Sequence, residues 1–451
     1  MAVVPGQAAT QVPGRRLTGA IARLEPWLLL PAALPLVLRE RFPPWLQVAA
    51  LLWIAALVAV RFLARGRPSV ATAMDVPVLC LLLTLPGAVH AALDRAAALS
   101  RVESLLFALA LAYALANAVD TPRRLWSVVT WLQVAGLGLG LVALVSVDWQ
   151  AKFPLLEPVL GRLPRVVTVV PHPTLQAPAV HPNSVAALLV LFVPLSLACL
   201  LWPAGDRPAR EGVAWERPRW IRPLAALCLA ALVPLLVLTQ SRGAWLAVLA
   251  ALAVMAAIRS RPLAGVLAGV ALTVGVVGAS AALLAGPSGA LLEPASRTAA
   301  SRVELWRGSL DLLAARPDTG IGLNTFPLVY GQRPEYEGRY IYHGYAHAHN
   351  TLLQAAMDYG VPGFGAVVGL YAAVALAARR AHRRLAGTPL DAVVVGLAAG
   401  LAAHAAHGMF DALAIGAKPG FLPWAFAGTL VGARHYAHRW APRATRGSAQ
   451  R

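Results

Sequence analysis

The sequence predicts an all-α, polytopic membrane helical bundle of about twelve transmembrane helices, with one large extracytoplasmic loop that carries short helices. Three observations predict it. Of the 451 residues, 58% are hydrophobic and only 13% charged, where soluble domains carry about 25% charged residues. The apolar residues come in long blocks, many close to the ~20 residues that a helix needs to cross a bilayer. The basic residues fall in the gaps between blocks, as the positive-inside rule requires. The formal charge of +19 therefore does not mark a nucleic-acid binder. No continuous basic face forms, and no nucleic-acid partner is expected. Lys152 and Lys418 are the only lysines, so an Arg in this chain carries meaning by position and not by type.

Read in order, the spans are expected near residues 26–38, 45–63, 76–93, 102–119, 125–147, 184–202, 222–239, 243–258, 262–285, 352–378, 390–410 and 421–437. Arg15, Arg16 and Arg23 precede the first apolar stretch as in a signal peptide. Pro31 and Pro35 interrupt that stretch and no small-residue cleavage site follows it, so it is expected to stay as the first span. With both termini cytoplasmic, most arginines fall inside. The principal exceptions sit in two long loops, 148–183 and 286–351, which escape the rule by length. The expected organisation is an N-terminal transmembrane region (1–285), an extracytoplasmic cap loop (286–351), a C-terminal transmembrane region (352–440) and a cytoplasmic tail (441–451). Cys80, Cys199 and Cys228 lie inside apolar blocks and read as packing residues.

The cap loop is patterned. In "SRVELWRGSLDLLAARP" the apolar residues Val303, Leu305, Trp306, Leu310, Leu312 and Leu313 predict an amphipathic helix. Ser301 is the expected N-cap, with Glu304 at capping-box spacing, and Pro317 is the expected stop. "DTGIGLNTF" reads as a Gly-rich turn. No GxGxxG, Walker loop or DxD pair appears, and no internal repeat.

Candidate chemistry converges on the outer face. Arg242 lies at a tight turn between two spans, where a charge is costly unless paired or functional; the plainer alternative is an interfacial, snorkelling side chain. Arg302 begins the loop helix and could equally be a solvated helix-face charge. His347 and His349 close the loop. An HxH pair with His343 upstream could bind a metal, but zinc wants three or four ligands. No Cys stands on this side and no HExxH occurs, so neither a metal nor another cofactor is expected. His404 and His407, one helical turn apart, read as helix–helix hydrogen-bonding groups.

"SRGAW" (241–245), "SRVELW" (301–306), "PDTGIGLNTF" (317–326) and "HAHNTLLQAAMDYGVPG" (347–363) resemble, in that order, the O-antigen ligase and polymerase superfamily. "HPNSVAALL" (181–189) and "HGMFD" (407–411) are similar to stretches of the same proteins. The resemblance implies a GT-C-like glycosyltransferase of the bacterial inner membrane, with its active site extracytoplasmic. Its donor would be a polyprenyl-diphosphate-linked glycan and its acceptor a lipid or glycan hydroxyl. The histidine immediately before Asn, here His349, maps onto the family's base, with His347 beside it. Arg242 and Arg302 map onto its diphosphate-binding arginines, and Ser241, Asn350 and His181 are possible supports. Ligases, repeat-unit polymerases and protein O-oligosaccharyltransferases share this core. A transporter is the rival of another class; it would place charge at mid-membrane, often within inverted repeats.

Overall fold

The computed structural model describes residues 13–147, 180–203, 216–259, 293–330, 347–417 and 420–440. Among them the chain is all-α, and the only β feature is an isolated bridge between Val147 and Val180. The helices are α1 (Pro13–Leu28), α2 (Leu30–Val37), α3 (Pro44–Arg65), α4 (Asp75–His90), α5 (Arg95–Ala118), α6 (Pro122–Leu144) and α7 (Pro182–Leu201). They continue with α8 (Ile221–Leu238), α9 (Arg242–Arg259), α10 (Glu293–Ala315), α11 (Phe326–Tyr330), α12 (Thr351–Leu385), α13 (Asp391–His407) and α14 (Phe421–Trp440).

Seven of these, α3, α5, α6, α7, α8, α9 and α12, are long and apolar enough to cross a membrane. The stretch Leu24–Val37 and helices α4 and α13 are apolar but shorter. The expected span 262–285 lies outside the described residues; every other expected span falls on a helix. The first is a departure. It breaks at Leu29 into α1 and the eight-residue α2, because Pro26, Pro31 and Pro35 each lack an N–H that a straight helix would use. At 1.5 Å per residue α2 alone spans only about 12 Å.

Buried in the centre, α7 packs against α13, and α5 packs against α14. Both pairs meet through small residues. A Cβ added at Gly400 would lie 2.4 Å from the Leu191 carbonyl, and one at Gly396 would meet the Leu195 backbone at 3.0 Å. On the other pair, a Cβ at Gly428 would lie 2.2 Å from the Ala112 carbonyl and one at Gly432 would crowd Ala116. Each helix therefore uses a G-x-x-x-G stripe to bring backbones into contact. Close approach substitutes dispersion and carbonyl contacts for the hydrophobic drive that is absent between helices in lipid.

Helix α12 is broken within its length. Gly360 has φ 73° and ψ −175°, which removes the bond from the Val361 N–H to the Met357 carbonyl. The turn after α10 replaces it. Val361 N–H donates to Pro317 O at 2.8 Å, and Ile321 N–H donates to Met357 O at 2.9 Å. A Cβ at Gly360 would lie 2.3 Å from Asp318 O. The glycine is required both by its left-handed φ and by this approach.

The α10 region corrects one expectation. The helix begins at Glu293, not after Ser301, so Ser301 lies inside it and is no N-cap. Pro294 at the second position suits a helix start, where a missing N–H costs nothing. The helix ends at Ala315, two residues before Pro317, as expected. Leu305 and Leu312 are buried and Leu313 packs beside them, whereas Val303 and Leu310 are exposed.

Two substitutions test this packing. Gly428→Leu should force α5 and α14 apart and destabilise the protein by at least the 1–3 kcal/mol typical of overpacking. Gly360→Ala should destabilise comparably through the left-handed backbone and the clash with Asp318 O. Thermal unfolding in detergent measures both. A melting temperature equal to wild type in either variant would refute the packing role of that glycine.

Candidate active site

Residues 347–350 enter α12 with four different duties. Ala348 is fully buried. Its N–H donates to Gln354 Oε1 at 2.8 Å, and its carbonyl accepts from Trp306 Nε1–H at 3.0 Å. His349 has φ 49°, a left-handed conformation that costs a non-glycine residue on the order of 1–3 kcal/mol. Asn350 is the N-cap of α12; its Oδ1 accepts the N–H groups of Leu352 and Leu353 at 3.0 and 3.1 Å. The side chain that the sequence offered as support is thus a cap for two orphan donors.

The α12 entrance docks on the end of α13. Thr351 N–H donates to Gly408 O at 2.6 Å. Three residues on, Asp411 is buried and faces both histidines. His349 Nδ1 lies 3.0 Å and His347 Nε2 3.5 Å from Asp411 Oδ1. The two imidazole centroids are 4.5 Å apart, edge to face. His347 Nδ1 accepts the backbone N–H of His349 at 3.2 Å. This last bond fixes one tautomer: His347 must carry its proton on Nε2 when neutral, while His349 Nδ1 stands within ion-pair distance of the carboxylate. An imidazole whose Nδ1 lies against a carboxylate keeps its second ring nitrogen, Nε2, for another role.

Electrostatics support this assignment. Burial pushes the His347 pKa down to about 4 although 22% of its side chain stays exposed, while Asp411 opposes the shift and the charges of His349, Arg101 and His181 add to it. Despite its burial, Asp411 is held below the usual carboxylate range by the hydrogen bond from His349 and the charges of His347, His349 and His407. The carboxylate stays ionised and His347 stays neutral near pH 7.

The other expected residues gather on the same end of the bundle. Ser241 is buried and its Oγ lies 3.4 Å from His407 Nε2. A Cβ at Gly243 would touch Phe410 at 3.2 Å, so the SRG turn seats on the HGMFD corner. Arg242 is exposed there and Arg302 is half-buried. The charge of Arg302 acts on His407, which places it on the same corner. His181, the exposed N-cap of α7, accepts the Asn183 N–H at 3.2 Å and acts electrostatically on His347. His404 donates across to the Ala187 carbonyl at 2.7 Å, the helix–helix bond expected of it. His343 lies outside the described residues.

Sequence reading missed Asp411, Arg101, Gln354 and the donor role of Trp306. An acidic residue in "HGMFD" was the one available signal for Asp411. It also supplies the third ligand that the metal argument lacked: His347, His349 and Asp411 each offer an atom, all within 4.8 Å of one another. Two imidazoles and a carboxylate are a set that zinc accepts with a position left open.

The His347 shift predicts a pH effect with a definite sign. Its folded pKa is depressed, so the unfolded chain takes up a proton between 6.5 and about 4 that the folded chain refuses. Stability falls as pH drops through that window. The Asp411 contribution persists above 3.8 and is lost only as pH falls lower. The melting temperature should decline between about pH 7 and about pH 4.5, and His347→Gln should flatten part of that decline. An identical pH slope in the variant would remove His347 from this role.

Comparison with known proteins covers part of this region. No curated protein matches the chain. Residues 224–368 match the family described as O-antigen ligase, a segment that holds Arg242, Arg302, His347 and His349 together with the kink at Gly360. The SRG turn, the α10 helix, the P-x-x-G-x-G turn and the HAHN entrance thus lie in the one segment that matches the O-antigen ligase family, and that match supports the O-antigen ligase superfamily for this polytopic membrane protein.

Proposed function

We propose that the chain is a metal-independent, inverting glycosyltransferase of cell-surface polysaccharide biosynthesis. It would transfer a glycan en bloc from a polyprenyl-diphosphate donor to an acceptor hydroxyl. The observation that carries the reading is the 3.0 Å contact between His349 Nδ1 and Asp411 Oδ1, which supports a tautomer with its proton on Nδ1 and its lone pair on Nε2. His349 Nε2 takes the acceptor hydroxyl proton as that oxygen bonds to the anomeric carbon. The bond from the anomeric carbon to the phosphate oxygen breaks on the opposite face, and the polyprenyl diphosphate leaves with the electron pair. Asp411 stabilises the imidazolium that forms. Such base catalysis is worth about 10²–10⁴ in rate.

Arg242 and Arg302 hold the diphosphate by charge-assisted, bidentate hydrogen bonds and stabilise its growing charge. The site then faces the outside of a bacterial inner membrane, with both termini cytoplasmic. Ligase and polymerase share this chemistry and differ in the acceptor, which is lipid-linked core glycan for one and a growing chain for the other.

Three measurements test the reading on purified full-length protein, with donor lipid extracted from cells that lack it. His349→Ala should lower turnover by about 10²-fold or more while donor binding persists; turnover within a few-fold of wild type would transfer the role to His347. Arg242→Lys and Arg302→Lys keep charge but lose the planar fork, so each should reduce turnover. Their effects should be non-additive because both act on one ligand, and two small additive losses would make them surface charges. Chelation should leave activity intact, whereas activity restored only by added metal would convert His347, His349 and Asp411 into a metal centre.

A further inference from the structure

Both backbone polar groups of Ala348 are held by side chains, one from each side. Gln354 Oε1 takes the N–H and Trp306 Nε1–H binds the carbonyl. The Gln354 amide has no freedom to turn over. A backbone N–H can only donate, so the atom opposite it is the oxygen. The amide nitrogen then donates to Asp358 Oδ1 at 2.9 Å. Asp358 is buried and receives a backbone hydrogen bond from Asn324 and the field of Arg101. Arg101 Nη2 in turn donates to Asn324 Oδ1 at 2.9 Å. Asn324 is itself left-handed, with φ 55°.

The chain of contacts therefore runs from α5 through the 317–325 turn and α12 to the peptide between the two histidines. Gln354, Asp358 and Arg101 reach His349 through the backbone of its neighbour Ala348. His349 sits in a conformation that an L-residue resists, and its neighbour is gripped at both polar atoms.

We propose that Gln354 and Trp306 form a two-sided clamp on Ala348, with Asp358 setting the orientation of the Gln354 amide. They are positioning residues that hold His349 left-handed, so that Nδ1 meets Asp411 and Nε2 faces the acceptor. The inference rests on His349 being the base, and its test includes a readout that does not need turnover.

The readout is the rate at which diethyl pyrocarbonate acylates the imidazoles of the 347–349 segment in the full-length protein, followed by peptide mass spectrometry. Gln354→Met and Trp306→Phe each delete one bond and keep the bulk. Both should speed acylation of this segment several-fold, leave His90 and His382 unchanged, and lower turnover by up to about 10²-fold, the scale of a 1 Å misplacement. Donor KM should move little.

Gln354→Glu should be as poor, since two carboxylates then face each other. The double variant Gln354→Glu with Asp358→Asn reverses the donor and acceptor. Its Asn amide donates to the Glu carboxylate, which still accepts from Ala348, so turnover should recover to within a few-fold of wild type. In a His349→Ala background Gln354→Met should cost nothing further, because the group it positions is gone. Unchanged acylation in both single variants, no recovery in the double variant, or an equal loss in the His349→Ala background would overturn the clamp. Full turnover in His349→Ala would overturn the base instead, and the acylation rates alone would then decide the clamp.

Discussion

One missing hydrogen bond organises the site. A helix crossing lipid must satisfy its backbone internally, and a break is tolerated only where other protein groups take over the freed atoms. At Gly360 the Met357 carbonyl and the Val361 N–H lose each other and are taken up by Ile321 and Pro317. The P-x-x-G-x-G turn is therefore part of the membrane helix it contacts. Its glycines allow the approach: a Cβ at Gly320 would lie 2.3 Å from Met357 O, and one at Gly322 2.5 Å from the Ala92 nitrogen. The turn is thereby wedged between the kink and the end of α4. Everything upstream and downstream inherits this anchor. It fixes where α10 ends, and so where Trp306 and Arg302 stand, and it delivers Asn324 to Arg101 and Asp358.

The charge balance at this end of the bundle is lopsided. Arg242 and Arg302 stand by the SRG and HGMFD corner, and Arg101 lies close enough to act on His347. The carboxylate of Asp411 is committed to two histidines, and that of Asp358 to Gln354 and Arg101. In the proposed reaction a diphosphate leaving group would meet these guanidiniums as its charge grows, and the acceptor's proton would meet an imidazole beside an ionised carboxylate.

Much of the fold was legible because membrane helices announce themselves by length and apolarity, so eleven of the twelve expected spans fall on helices of the structure. Prolines defeated the first of them, since hydropathy does not register a lost N–H. At Ser301 a good capping signal was present but idle. The preceding Glu293–Ala300 stretch also favours helix, and a cap acts only where a helix begins. His347, His349, Arg242 and Arg302 could be singled out from residue type and topology. Asp411 and Gln354 could not. Asp411 lies some sixty residues from the histidines it orients, and Gln354 sits in an apolar run where a lone amide suggests no partner. Their roles exist only once α12 docks on α13 and α10.

The spacing of His347, Ala348, His349 and Asn350 is explained by conformation as well as by chemistry. The chain must leave the loop, turn, and start a helix within four residues while exposing two imidazoles. Asn350 starts the helix by capping it. A left-handed residue before the cap makes the turn, and that residue is His349 itself, so its side chain is thrown toward Asp411 and away from the helix face. The small residue between the histidines lets its peptide be buried and gripped. A bulkier side chain at 348 would meet the cluster of Leu305, Phe326 and Met357 that encloses it. His347 then finishes the turn by accepting the His349 N–H, which it can do only while neutral. Its lowered affinity for protons is thus a condition of the backbone shape that aims His349.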